Sequence, residues 1–286
     1  MTESPSSQHD DTAVHAQLKA HQLERAELLQ RAQAVLQQDA RVSAAWLFGS
    51  LGRGDADDLS DIDLFIIVAE EFQDDMVANR YAYMAQLGEP LLVLEAPQNW
   101  PPGAVYNMAL YPGASGPHQI DWYWQRQSAA RLPTEIHLLF DHVNLPYANG
   151  PTRFDYAPVP PRPPTEVATQ EVNSFWVMLL IAAKYIARTT GKARIDMLQW
   201  PLGALRAVAQ FVDQPEPLMP ATELSPADPL AKLNVLRTYA AVMETLMPQA
   251  VSHGGRVPVA IGPQADRYLA LLEAIVQLQP NPIERP

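Results

Sequence analysis

The sequence feature that most constrains the fold is an Asp-x-Asp, Asp61 and Asp63, at the start of the apolar run Ile62–Val68. Side chains on a β-strand alternate between faces, so both carboxylates project from one face while the intervening apolar side chains enter a core. Carboxylate pairs suit Mg²⁺, which binds one or two carboxylates together with water and substrate phosphates. The pattern therefore predicts a strand that begins at a divalent-metal site.

A Gly-Ser pair, Gly49 and Ser50, follows a second predicted strand, Ser43–Phe48. The missing side chain of Gly49 lets a phosphate approach the backbone, and Ser50 offers a hydroxyl and an N–H. Arg53 adds a cation in the loop that follows. A Gly-Ser or an Asp-x-Asp alone is common in turns, but their conjunction between two apolar runs favours nucleotide binding.

Together these residues resemble the signature of the DNA polymerase β-like nucleotidyltransferase superfamily, especially its aminoglycoside and lincosamide nucleotidyltransferase branch. That signature is a Gly-Gly or Gly-Ser, a spacer, and two acidic residues that alternate with hydrophobic ones. The polar Ser60, directly before Asp61, departs from it. The resemblance also implies a third carboxylate on a neighbouring strand, for which Asp121 in the predicted strand Gln119–Trp124 is the obvious source. By alternation, Asp121 and Tyr123 share one face of that strand.

The resemblance implies transfer of a nucleoside monophosphate, with AMP from ATP preferred, to a hydroxyl of a small molecule such as an aminoglycoside or lincosamide. Pyrophosphate would leave. Asp61, Asp63 and Asp121 are the expected catalytic residues and the expected ligands of two Mg²⁺ ions. Asp121 is also a candidate general base, with Glu166 and Glu171 as rivals. Another nucleoside triphosphate, a protein acceptor as in antitoxin-like enzymes, and a non-catalytic nucleotide-binding regulator stay open as alternatives.

The expected nucleotide-binding residues are Gly49, Ser50, Arg53 and Lys184. Lys184 and Arg188 share one face of a predicted helix, where contact with a triphosphate and a surface position fit the sequence equally well. Three further acidic residues follow the Gly-Ser pair without strand periodicity, which favours a solvated acidic turn over a metal site: Asp55, Asp57 and Asp58.

Charge and composition favour a small acceptor over a nucleic acid. The chain of 286 residues has 20 basic and 32 acidic side chains, a formal net charge of −12. This excess opposes extended binding to nucleic acid, and it attracts cationic molecules. The absence of cysteine excludes disulfides and thiolate chemistry. The seven histidines show no metal-ligand spacing, and His118 lies on the strand face opposite to that of Asp121, so it is expected to be structural.

We expect a cytoplasmic protein that does not bind membranes. The first residues lack the basic and apolar regions of a signal peptide, and the longest apolar run, Phe175–Ala183, is about half of what a bilayer crossing requires. The sequence is compatible with a monomer or a homodimer.

The fold class predicted from the pattern is α/β (α+β), a mixed-sheet nucleotidyltransferase domain followed by an all-α helical bundle. Residues 1–12 are expected to form a disordered tail, 13–145 the catalytic domain, 146–164 a proline-rich linker, and 165–286 the helical domain. The predicted strands are Ser43–Phe48, Ile62–Val68, Leu91–Glu95, Val105–Leu110, Gln119–Trp124 and His137–Phe140. The predicted helices are Ala13–Gln38, Asp74–Leu87, Thr165 to Thr189 or Thr190, Arg194–Val212 with Pro201 as a kink point, Pro229–Met247 and Pro263–Gln277.

Overall fold

The computed structural model describes residues 5–96, 99, 104–151, 163–188, 197–214 and 228–278. Contacts between Cα atoms divide the chain into two compact units. Residues 21–113 and 118–161 form the first, called the sheet unit below, and the remaining residues belong to the second, the helical unit. Among the described helices, none combines the length and apolarity that a bilayer crossing requires.

The sheet unit is built on six strands: β1 (Val42–Leu47), β2 (Ile62–Val68), β3 (Leu92–Glu95), β4 (Ala104–Tyr111), β5 (His118–Arg126) and β6 (His137–Asp141). Their order in the sheet is β3-β4-β5-β2-β1-β6. β2 and β5 pair in parallel, and the other neighbours pair antiparallel. This mixed sheet, together with the helical region, confirms the predicted fold class, and β2 has the predicted bounds.

Four helices belong wholly or partly to the sheet unit: α1 (Pro5–Gln38), α2 (Gly49–Arg53), α3 (Gln73–Ala78) and α4 (Arg80–Met84). One face of the sheet forms a core with α1, α3 and α4. Alternate residues of β2 and β5 enter this core, including Ile62, Leu64, Ile66, Ile120, Trp122 and Trp124. Helix α1 supplies side chains at the spacing of one helix face, Leu28, Ala32 and Leu36.

Two predicted helices differ from these observed bounds. α1 begins at Pro5 and so extends into the predicted tail; proline is tolerated in a first turn, where its missing N–H has no intrahelical partner. The predicted helix Asp74–Leu87 is divided at Asn79 into α3 and α4. The Asn79 side-chain amide donates to the Asp75 carbonyl oxygen over 3.0 Å, so it competes with the backbone for a helical acceptor.

The helical unit contains α5 (Pro164–Ala187), α6 (Gln199–Phe211), α7 (Pro229–Ser252) and α8 (Ile261–Leu278). α5 contacts the other three helices, and it is rich in fully buried side chains such as Phe175, Trp176 and Leu179. α7 starts as predicted, because Asp228 accepts the Ala231 N–H over 2.7 Å and Pro229 occupies the first position.

Two prolines behave differently from the predictions. The expected end of α7 at Met247 is wrong, since the helix continues through Pro248 to Ser252. The carbonyl oxygens at its end accept backbone N–H groups, Gly254 to Val251 and Gly255 to Ala250, both at 2.9 Å, and the Ser252 hydroxyl also donates to the Gln249 carbonyl oxygen over 2.7 Å. Pro201 introduces no break in α6, because it lies in the first turn, where an N–H is not needed.

Part of the predicted linker, residues 152–162, lies outside the described residues, as do the predicted helix end at Thr189 or Thr190 and the start at Arg194. The described part of the linker is bonded to a neighbouring segment. The Leu132 N–H donates to the Pro146 carbonyl oxygen over 2.9 Å, and the Ala148 N–H donates to the Leu132 carbonyl oxygen over 2.8 Å.

Candidate active site

Asp63 and Asp121 lie side by side on β2 and β5. They are partners in the register of this parallel pair, so both side chains project from the face opposite the core. Asp121 is 8% exposed, and its Oδ1 accepts the Gln119 side-chain amide over 2.9 Å. Asp61 is half-buried and directly precedes β2, two residues before Asp63. The structure therefore places Asp61 and Asp63 at the start of β2 and Asp121 beside Asp63 on the adjacent strand β5.

Gly49, the first residue of α2, lies against the Asp63 carboxylate. Its φ angle is +63°, and a Cβ built there would lie 2.0 Å from Asp63 Oδ2 and 2.8 Å from Asp63 Cγ. The preceding Phe48 N–H donates to the Asp63 carbonyl oxygen over 3.1 Å. A side chain at position 49 would displace the carboxylate, so glycine is required here for space as well as for backbone conformation.

The other two predicted phosphate-binding residues of this segment lie on α2. The half-buried Ser50 accepts the Asp55 N–H on its carbonyl oxygen over 3.0 Å. Arg53 is exposed and forms an ion pair with Asp55 at 3.2 Å. The sequence analysis missed α2, because five residues that begin with one glycine and are followed by another resemble a turn.

The acidic loop before β2 is an ordered turn held by Ser60 and Arg25. The Ser60 hydroxyl donates to Asp57 Oδ1 and accepts the Asp57 N–H, both at 2.9 Å. Arg25 Nη1 of α1 donates to the carbonyl oxygens of Asp57 at 2.9 Å and Ser60 at 2.7 Å. Ser60, the polar departure from the family signature, therefore shapes the turn that carries Asp61, and Asp57 has a turn-forming contact of its own.

A row of aromatic rings crosses the sheet next to the carboxylates and on the same face. Trp46 stacks on Phe65 with centroids 4.9 Å apart, Phe65 on Tyr123 at 5.5 Å, and Tyr106 packs on Tyr123 at 4.7 Å. These four residues are cross-strand neighbours on β1, β2, β5 and β4. All four are buried, so the row is a rigid floor that fixes the strands bearing Asp63 and Asp121.

The pKa of the buried Tyr106 is affected by the carboxylates of this site. Burial raises the pKa of its hydroxyl well above the ordinary value, and the charges of Asp121, Tyr123 and Asp63 raise it further, against a hydrogen bond with Asn99 that lowers it. Tyr106 is therefore neutral at physiological pH.

Three further candidates lie on α5 in the helical unit. Lys184 is 5% exposed, Glu166 is exposed in the first turn, and Glu171 is half-buried. A contact of Lys184 with a triphosphate, and a role for either glutamate as a base, stay predictions. Burial of Lys184 argues against the surface alternative, since lysine is rarely buried unless its charge is paired.

A second polar cluster, which the sequence analysis missed, joins His21 and Glu24 of α1 to His118 of β5. His118 Nε2 lies 3.0 Å from Glu24 Oε2, and the two imidazole rings stack with centroids 4.2 Å apart. Burial lowers the pKa of His21 to about 3, with the charges of His118 and Arg25 as further causes. Burial also lowers the pKa of His118, although the bond to Glu24 opposes it. Only the His21-x-x-Glu24 spacing on α1 hinted at this cluster in the sequence.

Residues 30–98 match the family model described as "Polymerase beta, Nucleotidyltransferase". The matched segment contains Gly49, Ser50, Asp61 and Asp63, and it ends before Asp121. It covers less than half of the chain, and it supports the polymerase β-like superfamily and nucleotidyl transfer as the general class of reaction. No curated protein matches the chain.

Proposed function

We propose that this protein is a metal-dependent nucleotidyltransferase that transfers AMP from ATP to a hydroxyl group of a small molecule and releases pyrophosphate. The observation that carries the proposal is the in-register pair Asp63 and Asp121, with Gly49 against the Asp63 carboxylate and Asp61 two residues upstream of Asp63. Three carboxylates on one side of the sheet fit divalent cations, and the family match on residues 30–98 supports nucleotidyl transfer.

Asp61, Asp63 and Asp121 would hold two Mg²⁺ ions, which when bound stabilise negative charge on phosphoryl oxygens. Asp121 also accepts the proton of the acceptor hydroxyl as that oxygen attacks the α-phosphorus and the bond to the pyrophosphate oxygen breaks. The bare backbone at Gly49 and the Ser50 hydroxyl bind the triphosphate, with Arg53 as a counter-charge; the expected contact of Lys184 with the triphosphate stays a prediction. These roles follow the family pattern residue by residue.

The acceptor we favour is a cationic, hydroxyl-rich molecule of the aminoglycoside type, with lincosamides as the second choice. The support is electrostatic: a chain with net charge −12 attracts cations and repels polyanions. A hydroxyl acceptor also agrees with a carboxylate base, since Asp121 stands beside the proposed metal ligand Asp63.

The test is a screen of aminoglycosides, lincosamides and other polyols with purified protein, Mg²⁺ and ATP labelled at either the α- or the γ-phosphate. Transfer of the α-label alone, with pyrophosphate release, supports the proposal. Transfer of the γ-label would identify a phosphotransferase instead. Label on a protein in an added lysate would favour the protein-directed alternative, and ATP binding without transfer would favour a regulator. Asp63→Asn protein is the matched control in each arm.

A further inference from the structure

The His21, Glu24 and His118 cluster lies on the other face of the sheet from the proposed active site. His118 alternates with Asp121 along β5, in phase with the core residues Ile120 and Trp122. His21 and Glu24 are three residues apart on α1, so they share a helix face. The cluster therefore lies where α1 covers the first residue of β5, and the proposed nucleotidyl transfer uses none of its members.

We propose that His21, Glu24 and His118 bind a divalent transition-metal ion, with Zn²⁺ as the preferred ion, at a second site that fastens α1 to β5. One donor atom from each residue lies within 4.8 Å of the other two. Tetrahedral ligands at zinc distances lie about 3.4 Å apart. The 3.0 Å from His118 Nε2 to Glu24 Oε2 is already close to that value, and the His21 ring, which is stacked on His118, would have to turn so that one of its nitrogens also faces the ion.

The donor set selects the class of ion. Imidazole suits zinc, copper and nickel, whereas Mg²⁺ and Ca²⁺ prefer oxygen ligands, so this site differs in chemistry from the all-carboxylate site. Both histidines are 5% exposed, and the neutral imidazole is the form of histidine that binds a metal. Two histidines and one glutamate are a known zinc ligand set, which leaves a fourth position for water.

The expected effect of such an ion is to cross-link distant parts of the chain. His118 is the first residue of β5, and the other two proposed ligands, His21 and Glu24, lie on α1. The same helix supplies Arg25 to the acidic loop. An ion that binds only when α1 and β5 are together stabilises the folded state by mass action. Such an ion would also hold in place the helix that supplies Arg25 to the loop before Asp61.

The first experiment measures Zn²⁺ binding to chelator-treated, full-length protein by equilibrium dialysis, with excess Mg²⁺ to occupy the carboxylate site. Glu24→Gln removes a ligand at a half-buried position, and Glu27→Gln is the same change at an exposed position of the same helix. We expect Glu24→Gln to lower the zinc affinity more than about 10-fold, the lower end of the loss when even an outer-shell partner is removed. Glu27→Gln should bind like the wild type. Equal affinity in the two variants would overturn the proposal.

A second variant separates this site from the proposed active site. Asp63→Asn protein should bind this zinc ion with unchanged affinity, and zinc should raise its Tm as it does for the wild type. Loss of zinc with Asp63→Asn alone would assign the ion to the carboxylates and overturn the site.

Histidine-selective NMR tests the same site without a mutation. Zinc should shift the imidazole signals of His21 and His118 and leave that of the exposed His137 unchanged, and unshifted His21 and His118 signals would also overturn it.

Discussion

The two faces of the β2–β5 pair differ in chemistry, although their residues alternate along the same strands. On one face, Leu64 and Trp122 are fully buried in the core with α1. On the other face, Asp63 and Asp121 stand side by side, followed by the aromatic row. We therefore expect a substitution at a core position such as Leu64 to lower stability, and a substitution at the neighbouring Asp63 to lower activity.

The largest effect is expected from Asp63→Asn, which should lower kcat about 1000-fold, the upper end of the loss when one charge-stabilising group is removed. The fold should stay intact, because the amide keeps the size of the side chain and relieves repulsion between carboxylates. Activity at saturating Mg²⁺ and Tm are the two measurements. Asp58→Asn, in the exposed acidic loop, is the control and should retain activity. Wild-type turnover in Asp63→Asn would remove this residue from the proposed mechanism.

The next residue on the strand should give the opposite result. Leu64→Ala creates a cavity in the core, and we expect it to lower the free energy of unfolding by about 2–5 kcal/mol. Urea unfolding followed by tryptophan fluorescence measures this loss, while activity per folded molecule should stay near the wild-type value. A stable Leu64→Ala variant with low activity would show that the two faces are not separate in function.

Gly49→Ala tests the approach of the backbone to the carboxylate face. A Cβ at this position would meet Asp63 Oδ2, so the carboxylate must turn away, and we expect kcat to fall about 100-fold, a loss typical of a misplaced reacting group. The matched control is Gly54→Ala, because Gly54 also has a positive φ angle, +77°, but nothing lies within 4 Å of its Cβ position. Both variants share a backbone cost of about 1–2 kcal/mol. Equal activity in the two would refute the steric argument.

The smallest effect is expected from Arg25→Gln. Arg25 lies on the core side of the sheet, and it affects the carboxylates only through its hydrogen bonds to the acidic loop before Asp61. Loss of two hydrogen bonds to the loop before Asp61 should lower kcat on the order of 10-fold, with little change in KM for ATP. Arg25→Lys should recover part of the loss, since an ammonium can still donate to a carbonyl oxygen. Arg31→Gln, exposed on the same helix, is the control. If the Arg31 and Arg25 variants behave alike, the loop contact has no role in catalysis.

Periodicity along the chain predicted the sheet well where a strand is long and apolar. The bounds of β2 are as predicted, and the face shared by Asp63 and Asp121 follows from alternation together with the parallel register. Sequence patterns did not predict the division at Asn79, whose side-chain amide bonds to a helical carbonyl oxygen. They also did not predict that α7 continues through Pro248 and that its last carbonyl oxygens find donors beyond it. These contacts depend on geometry that hydrophobic patterns do not encode.

The two polar clusters differ in how far the sequence predicts them. Gly49, Asp61 and Asp63 lie close together in the chain, so the sequence alone shows their motif. Asp121 lies far from them in the chain, and its prediction depends on a family resemblance and on its apolar neighbours. The cluster of His21 and His118 depends on where α1 crosses the sheet, and no local spacing connects residues so far apart. The role of Arg25 has the same origin, because its partners are the carbonyl oxygens of Asp57 and Ser60.

The parallel pairing of β2 with β5 has a consequence for folding. Antiparallel neighbours can be joined by a tight turn, but parallel strands need a long crossover, and here β3 and β4 intervene in the chain. Asp63 and Asp121 thus meet only through a contact of large sequence separation, the kind that slows folding. A chain still being synthesised cannot place Asp63 beside Asp121 until β5 has emerged from the ribosome, so the juxtaposition of these two carboxylates is among the last features that the nascent sheet acquires.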